Sequence, residues 1–207
     1  LYVERTWWEL PPGSLLKMPV HTTGAPAISK KQQAFIQLNE KAMKVAIIYC
    51  TQHGTTEKVA RLLAQKLEQH HVSIYDLGKT PDPNIRHYDL IIIGGSIHVG
   101  MIEKKVKGFC EKNLELLLEK EVGLFVCCML AENQKTQFER AYPAILRAHS
   151  KAHGYMGGEF IFERMNLLEK LMVNVVAKKH ESISRIHYAS IDRFLIELEL
   201  LEEGITH

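Results

Sequence analysis

The residues "TQHGTT", positions 51–56, lie between an apolar run and a helical pattern. The first amides of a helix have no internal partners, and together they carry about half a positive charge. Gly54 lets the backbone come close, and the hydroxyls of Thr51, Thr55 and Thr56 can donate to oxygens without adding charge. With Gln52 and His53 completing the loop, this composition suits a phosphate monoester. The plainer use of such threonines is to cap the helix, and capping stays open on the loop alone.

Other occupants of a strand-to-helix corner fit less well. A nucleotide triphosphate loop ends in G-K-[ST], and no lysine stands there. A dinucleotide fingerprint needs three glycines where this loop has one. A phospho-receiver site would put acids at the strand end, which here holds Cys50 and Thr51. A second turn, "GGSIHVG" at 94–100, carries His98 and is rich in glycine. His53 and His98 could each meet phosphate or substrate, although loop exposure explains both. His149 and His153 stand four apart with no third ligand, so no metal is expected. His70 and His71 close a helix, where their charge suits the dipole. The four cysteines, Cys50, Cys110, Cys127 and Cys128, lack C-x-x-C spacing and read as reduced core residues. Cys127 and Cys128 are adjacent on a strand and so face opposite ways.

These loops need elements to hold them. Lys44 to Cys50 reads as a first strand, and Thr55 to about Gln69 as a helix with Val59, Leu62, Leu63 and Leu67 on one face. A second strand covers Val72 to Leu77, a third Tyr88 to about Gly94, a fourth the run "VGLFVCCM", and a fifth "YMGGEFIF" to Phe162. Helices are expected over about Glu103 to Leu118, Lys135 to Ala148, Glu163 to Lys179 and Ser190 to Leu201. Near-continuous apolar strands alternating with helices imply a parallel sheet covered on both faces. Right-handed crossovers then give an α/β, doubly wound three-layer sandwich with five parallel strands in the order 2-1-3-4-5. Ligands in such folds bind beyond the carboxyl ends of the strands, between strands one and three. The two turns meet at that point.

Composition narrows the classes further. The 207 residues are 46% hydrophobic and 24% charged, as in globular domains, and the apolar runs are too short for a membrane span. A net charge of +2 gives no reason to propose nucleic acid. Residues 1–42 hold four of the seven prolines and both tryptophans without sustained periodicity. They read as an extension or leader, with the domain running over 43–207. The five basic and three acidic residues before Met43 account for the +2, leaving 21 of each sign in the domain.

"TQHGTTEKVA" resembles the flavin mononucleotide (FMN) phosphate loop of flavodoxins, and "YDLIIIGGSIHVGMIEKKVKGF" resembles their third strand and first flavin-ring loop. The form G-[GA]-S-I-x-x-G, followed by "CCMLAENQKT", is similar to the flavodoxin-type protoporphyrinogen oxidases that use menaquinone. The resemblance covers about residues 43–201 and implies FMN as cofactor. The phosphate would rest on Thr51, Gln52, His53, Gly54, Thr55 and Thr56. The ring would lie against Gly95, Ser96, Ile97, His98, Val99 and Gly100, with Met129, Leu130 and Ala131 on its other side. Glycines at 94, 95 and 100 would keep side-chain bulk from a flat ring.

Mobile flavodoxin carriers commonly clamp the ring between a tryptophan and a tyrosine and are strongly acidic. Here both ring loops lack aromatics and the domain is neutral. The expectation is therefore an FMN-dependent oxidoreductase of the protoporphyrinogen oxidase type, active in heme biosynthesis, taking electrons from a porphyrinogen and passing them to a quinone. The alternatives are a flavodoxin electron carrier without substrate chemistry and an NAD(P)H:quinone reductase. No catalytic side chain stands out. Within 163–180, Met165, Leu168, Met172, Val175 and Val176 form one apolar arc. Packing on the domain's own sheet explains that arc; a membrane face, a lipophilic substrate or a second subunit of a homodimer would also use it. A cytoplasmic protein is expected, peripheral at the membrane if this segment docks there.

Overall fold

The computed structural model describes residues 42–98, 100–128, 134–160 and 183–201. Residues 1–41 of the expected arm, Val99, Met129, Leu130, Ala131 and the apolar segment 163–180 lie outside the described residues. In chain order the first elements are β1 (Lys44–Cys50), α1 (Thr55–Lys66), β2 (His71–Asp76), β3 (Leu90–His98), β4 (Met101–Ile102), α2 (Lys104–Lys112) and α3 (Leu114–Leu117). There follow β5 (Glu121–Cys127), α4 (Gln134–Ala141), α5 (Ala144–His149), β6 (Ala152–Tyr155), β7 (Gly157–Phe160), β8 (Ile183–Ile186) and α6 (Tyr188–Glu197).

The main sheet runs β2-β1-β3-β5-β6, and all four pairings along that path are parallel. This is the 2-1-3-4-5 order read from the alternation of apolar runs and helices. β1 is buried at every residue after Lys44, because β2 and β3 flank it and helices cover both faces. Alternate residues divide between two cores, as the two-residue period of a strand requires. Val45, Ile47 and Tyr49 pack with Val59 and Leu63 of α1 and with Ile191 and Phe194 of α6. Ala46, Ile48 and Cys50 share the other core with Val106 and Phe109 of α2 and Phe138 of α4.

The structure corrects several boundaries. The fifth sheet strand is Ala152–Tyr155, three residues ahead of the expected "YMGGEFIF". This strand closes the ordered path with His153 exposed, so it lacks the continuous apolar run that marks a buried parallel strand. Gly157, at φ 73°, then turns the chain out of the sheet, and Gly157–Phe160 pairs antiparallel with β8 in a separate ribbon. The helix expected over 103–118 breaks at Asn113, whose Nδ2 donates to the Phe109 carbonyl at 3.1 Å. The one over 135–148 breaks at Pro143, which has no amide to continue it. β4 pairs antiparallel with the end of β3, a short hairpin not foreseen in the sequence. Among the described residues no helix is long and apolar enough to cross a membrane.

Candidate functional site

β1 and β3 end side by side, Cys50 pairing with Gly95, so their following loops share one end of the sheet. In the first loop the Gly54 amide donates to Thr51 Oγ1 at 3.0 Å, closing a tight turn. Gly54 is the residue before α1, at φ 94° and ψ −7°, a left-handed conformation that side chains with a Cβ adopt only under strain. Its carbonyl accepts the Lys58 amide at 3.0 Å and starts the helix. No side chain caps α1. The threonines are therefore not explained as caps. Thr55 and Thr56 are buried, Thr56 completely, and the Thr56 hydroxyl has no hydrogen-bond partner. A buried hydroxyl without a partner costs on the order of 1–3 kcal/mol unless something else satisfies it. An anion at the head of α1 would do so, and it would also receive the first-turn amides. The residues present fit a phosphate group.

The second loop is the β3–β4 hairpin, in which Ile97 pairs with Ile102 and His98 with Met101. Gly100 turns it at φ 76°, and Met101 stands 65% exposed at its rim. Where β3 leaves the sheet, three polar side chains converge. His98 Nε2 lies 3.1 Å from Ser96 Oγ and 3.5 Å from Glu103 Oε1, and Ser96 Oγ donates to the same carboxylate oxygen at 3.4 Å. The Glu103 amide donates to the Ser96 carbonyl at 3.3 Å, which seats the carboxylate against the strand end. The ring of His53, from the first loop, meets the ring of His98 edge-on with centroids 5.4 Å apart. The two loops thus touch through imidazoles. Beneath them burial raises the Cys50 thiol, with Glu103 and then Asp76 adding to the effect and Lys105 opposing it. Burial likewise pushes the Tyr49 phenol up to about 12, with Glu57 and Asp76 adding to it.

A family model described as a flavodoxin domain matches residues 46–185, well over half of the chain. The chain belongs to the flavodoxin domain family. Among solved structures, a WrbA-like flavodoxin from Agrobacterium tumefaciens overlays with a TM-score of 0.43 at 15% identity, over 68% of this chain and 100% of that one. A mutant flavodoxin of Fusobacterium nucleatum bound to flavin mononucleotide gives 0.40 at 16% identity, over 56% and 76%. A flavoprotein from Lactobacillus acidophilus in complex with FMN gives 0.36 at 17% identity, over 56% and 92%. No curated protein matches the chain in sequence.

The structure of this flavodoxin domain brings together most of the residues singled out above. Thr51, His53, Gly54, Thr55 and Thr56 form the head of α1, with Gln52 exposed beside them. Ser96, Ile97, His98 and Gly100 lie in or beyond the end of β3. Gly94 and Gly95 also have a packing reason to be small. Both are buried within β3; a Cβ on Gly94 would collide with the Phe125 ring, and one on Gly95 would sit 2.7 Å from Ile102 Cγ1. Their missing side chains make room for the domain's own core. His149 Nε2 donates to the Lys120 carbonyl at 2.8 Å, and His153 Nε2 donates to that of Arg147 at 3.0 Å. All four cysteines are buried, and Cys128 Sγ donates to Gln137 Oε1 at 2.7 Å. Glu103 is the site residue that sequence reasoning passed over. It reads there as an ordinary acid heading a helix, and only the hairpin of β4 folds it back on Ser96.

Proposed function

We propose that this flavodoxin domain binds FMN at the carboxyl ends of β1 and β3 and oxidises a porphyrinogen-type donor, passing electrons to a quinone. The bound flavin supplies the electron chemistry, and the protein supplies binding, orientation and electrostatics. The observation that carries the reading is the head of α1, left without a side-chain cap beside a buried Thr56 hydroxyl that has no partner. That hydroxyl and the neighbouring amides would hold the phosphate. Ser96 to Gly100 would flank the ring, with Met129, Leu130 and Ala131 assigned to its other side from sequence. The porphyrinogen and quinone rest on the "GGSIHVG" motif, and the neutral, aromatic-poor ring loops agree with an enzyme. The family match supports a second reading, an electron carrier with no substrate of its own.

Reconstitution with FMN followed by anaerobic titration tests both. The enzyme reading expects protoporphyrinogen to bleach the flavin absorbance without nicotinamide, and a quinone such as menadione to restore it. Bleaching by NADH or NADPH alone would indicate a reductase, and no bleaching by any of these donors leaves the carrier. A chain that takes up no flavin would end the reading altogether.

A further inference from the structure

The β3–β4 hairpin leads straight into α2, and the outer surface of that junction has a charge pattern that the fold does not explain. Met101, at 65%, is the most exposed large hydrophobic side chain among the described residues. Lys104 and Lys105 follow it closely, and both are exposed. Cations in the first turn of a helix meet the positive end of its dipole, so they work against the helix they open. No acid stands in that first turn. Glu103, just before it, is turned inward to Ser96 and His98, with its side chain only 14% exposed. Further along α2 the lysines are matched, Lys107 with Glu111 at 3.9 Å and Lys112 with Asp82 at 2.6 Å. Among the described residues Lys104 and Lys105 have no ion-pair partner. Lys105 is nonetheless near enough to the end of β1 to lower the Cys50 thiol against the effect of burial. Two uncompensated cations and an exposed thioether therefore border the strand ends where the flavin is placed.

This pattern fits a molecule with an apolar body and carboxylates along one edge. The porphyrinogen-type donor proposed above has that form, whereas a quinone has no charge to place there. We infer that Lys104 and Lys105 hold the carboxylate side chains of the donor at the rim of the flavin site while Met101 covers its apolar body. This rests on the proposed function and adds the groups that select the donor. These side chains do no chemistry; they bind the donor and orient its ring system toward the cofactor. Each lysine is exposed, so its attraction for a carboxylate is screened by water and salt and is modest alone. Selectivity comes from two cations acting together on one edge of the ligand.

Protoporphyrin, which has already lost the hydrogens that the flavin would take, and its dimethyl ester are titrated into the full FMN-loaded chain in dilute nonionic detergent. Binding is read by porphyrin fluorescence. The acid should bind about threefold to thirtyfold tighter than the ester, the range expected of two exposed ion pairs. The double variant Lys104→Gln/Lys105→Gln should bring the acid down to the affinity of the ester and leave the ester unchanged. Raising the salt from about 0.05 M to about 0.3 M should weaken acid binding in the wild type but not in that variant. Lys107→Gln, whose charge Glu111 already faces, should change neither ligand. Met101→Ser should weaken acid and ester alike, because the apolar body is common to both. With protoporphyrinogen as donor, the double variant should raise KM by the factor seen in binding and keep kcat. FMN affinity and the urea midpoint report the fold, and removing lysines from the first turn of a helix should not lower the midpoint. Equal binding of acid and ester, an acid affinity that survives the loss of both lysines, or a loss that the ester shares overturns the inference and leaves the porphyrinogen reading standing. A rise in KM for NADH or NADPH instead assigns the lysines to a nucleotide phosphate and overturns it as well. An FMN-loaded chain that binds neither porphyrin and is not bleached by protoporphyrinogen removes both.

Discussion

Thr56 is the residue on which the site turns. Its hydroxyl is buried without a partner in a helix whose first turn no side chain caps. A threonine kept only for packing could be exchanged for valine, which has the same shape and no polar atom to desolvate. Replacing an unsatisfied buried hydroxyl by an apolar isostere is neutral or stabilising, whereas a hydrogen bond to a charged group contributes about 1.5–3 kcal/mol. Thr56→Val should therefore leave the urea midpoint unchanged or slightly raised while weakening FMN binding by about tenfold or more. Equal loss of stability and no loss of affinity would show that the hydroxyl serves the fold alone. Gly54 was legible in the sequence as the residue that lets the backbone come close, whereas its left-handed φ of 94° was not read there. Glu103 was not legible, because its role depends on a two-residue strand that returns it to Ser96.

At the scale of elements, periodicity identified what is buried on all sides and missed what is not. β1, β3 and β5 read correctly because their apolar runs have helices on both faces. β6 alternates buried and exposed residues over only four positions, too short and too polar a pattern to stand out. The ribbon of β7 and β8 joins residues far apart in sequence, and no local pattern announces such a pairing. Gly157 is its pivot. The Cys128 amide donates to the Gly157 carbonyl at 2.8 Å, tying the ribbon to the carboxyl end of β5, while a Cβ on Gly157 would collide with the Arg185 carbonyl. Gly157→Ala faces a φ of 73° and that collision together, and the neighbour is backbone with little room to yield. It should lower stability by about 1–3 kcal/mol, read as a shift in urea midpoint. An unchanged midpoint would mean that the ribbon contributes nothing to the stability of the sheet.

For the whole molecule, a domain with 21 acidic and 21 basic residues has no large net charge to drive its response to pH, so buried groups dominate. The core between the sheet and α2 to α5 contains Cys110 and Tyr142, and the opposite core contains Tyr49. Burial, with a smaller contribution from Glu111, pushes the Cys110 thiol from 9.0 up to about 12, and Tyr49 rises from 10.0 to about 12. Tyr142, which donates to the Phe125 carbonyl at 2.6 Å, is held well above 10.0, chiefly by burial. Below about pH 9 each group keeps its proton whether the chain is folded or not, so stability is insensitive to their titration there. As pH rises past 9.0 for the thiol and 10.0 for the phenols, the unfolded chain releases protons that the fold retains. Stability must then fall, with a slope approaching about 1.4 kcal/mol per pH unit for each group fully engaged. Urea midpoints should decline from about pH 9 and steepen above about pH 10 as the tyrosines join. Cys110→Ala should make the decline between about pH 9 and about pH 10 shallower without removing it, because the raised Cys50 thiol, like Cys110, starts from 9.0 and remains, as do Tyr49 and Tyr142 in their two cores. A midpoint that stays level to about pH 11 would mean that these side chains titrate alike in both states and that the two cores admit water.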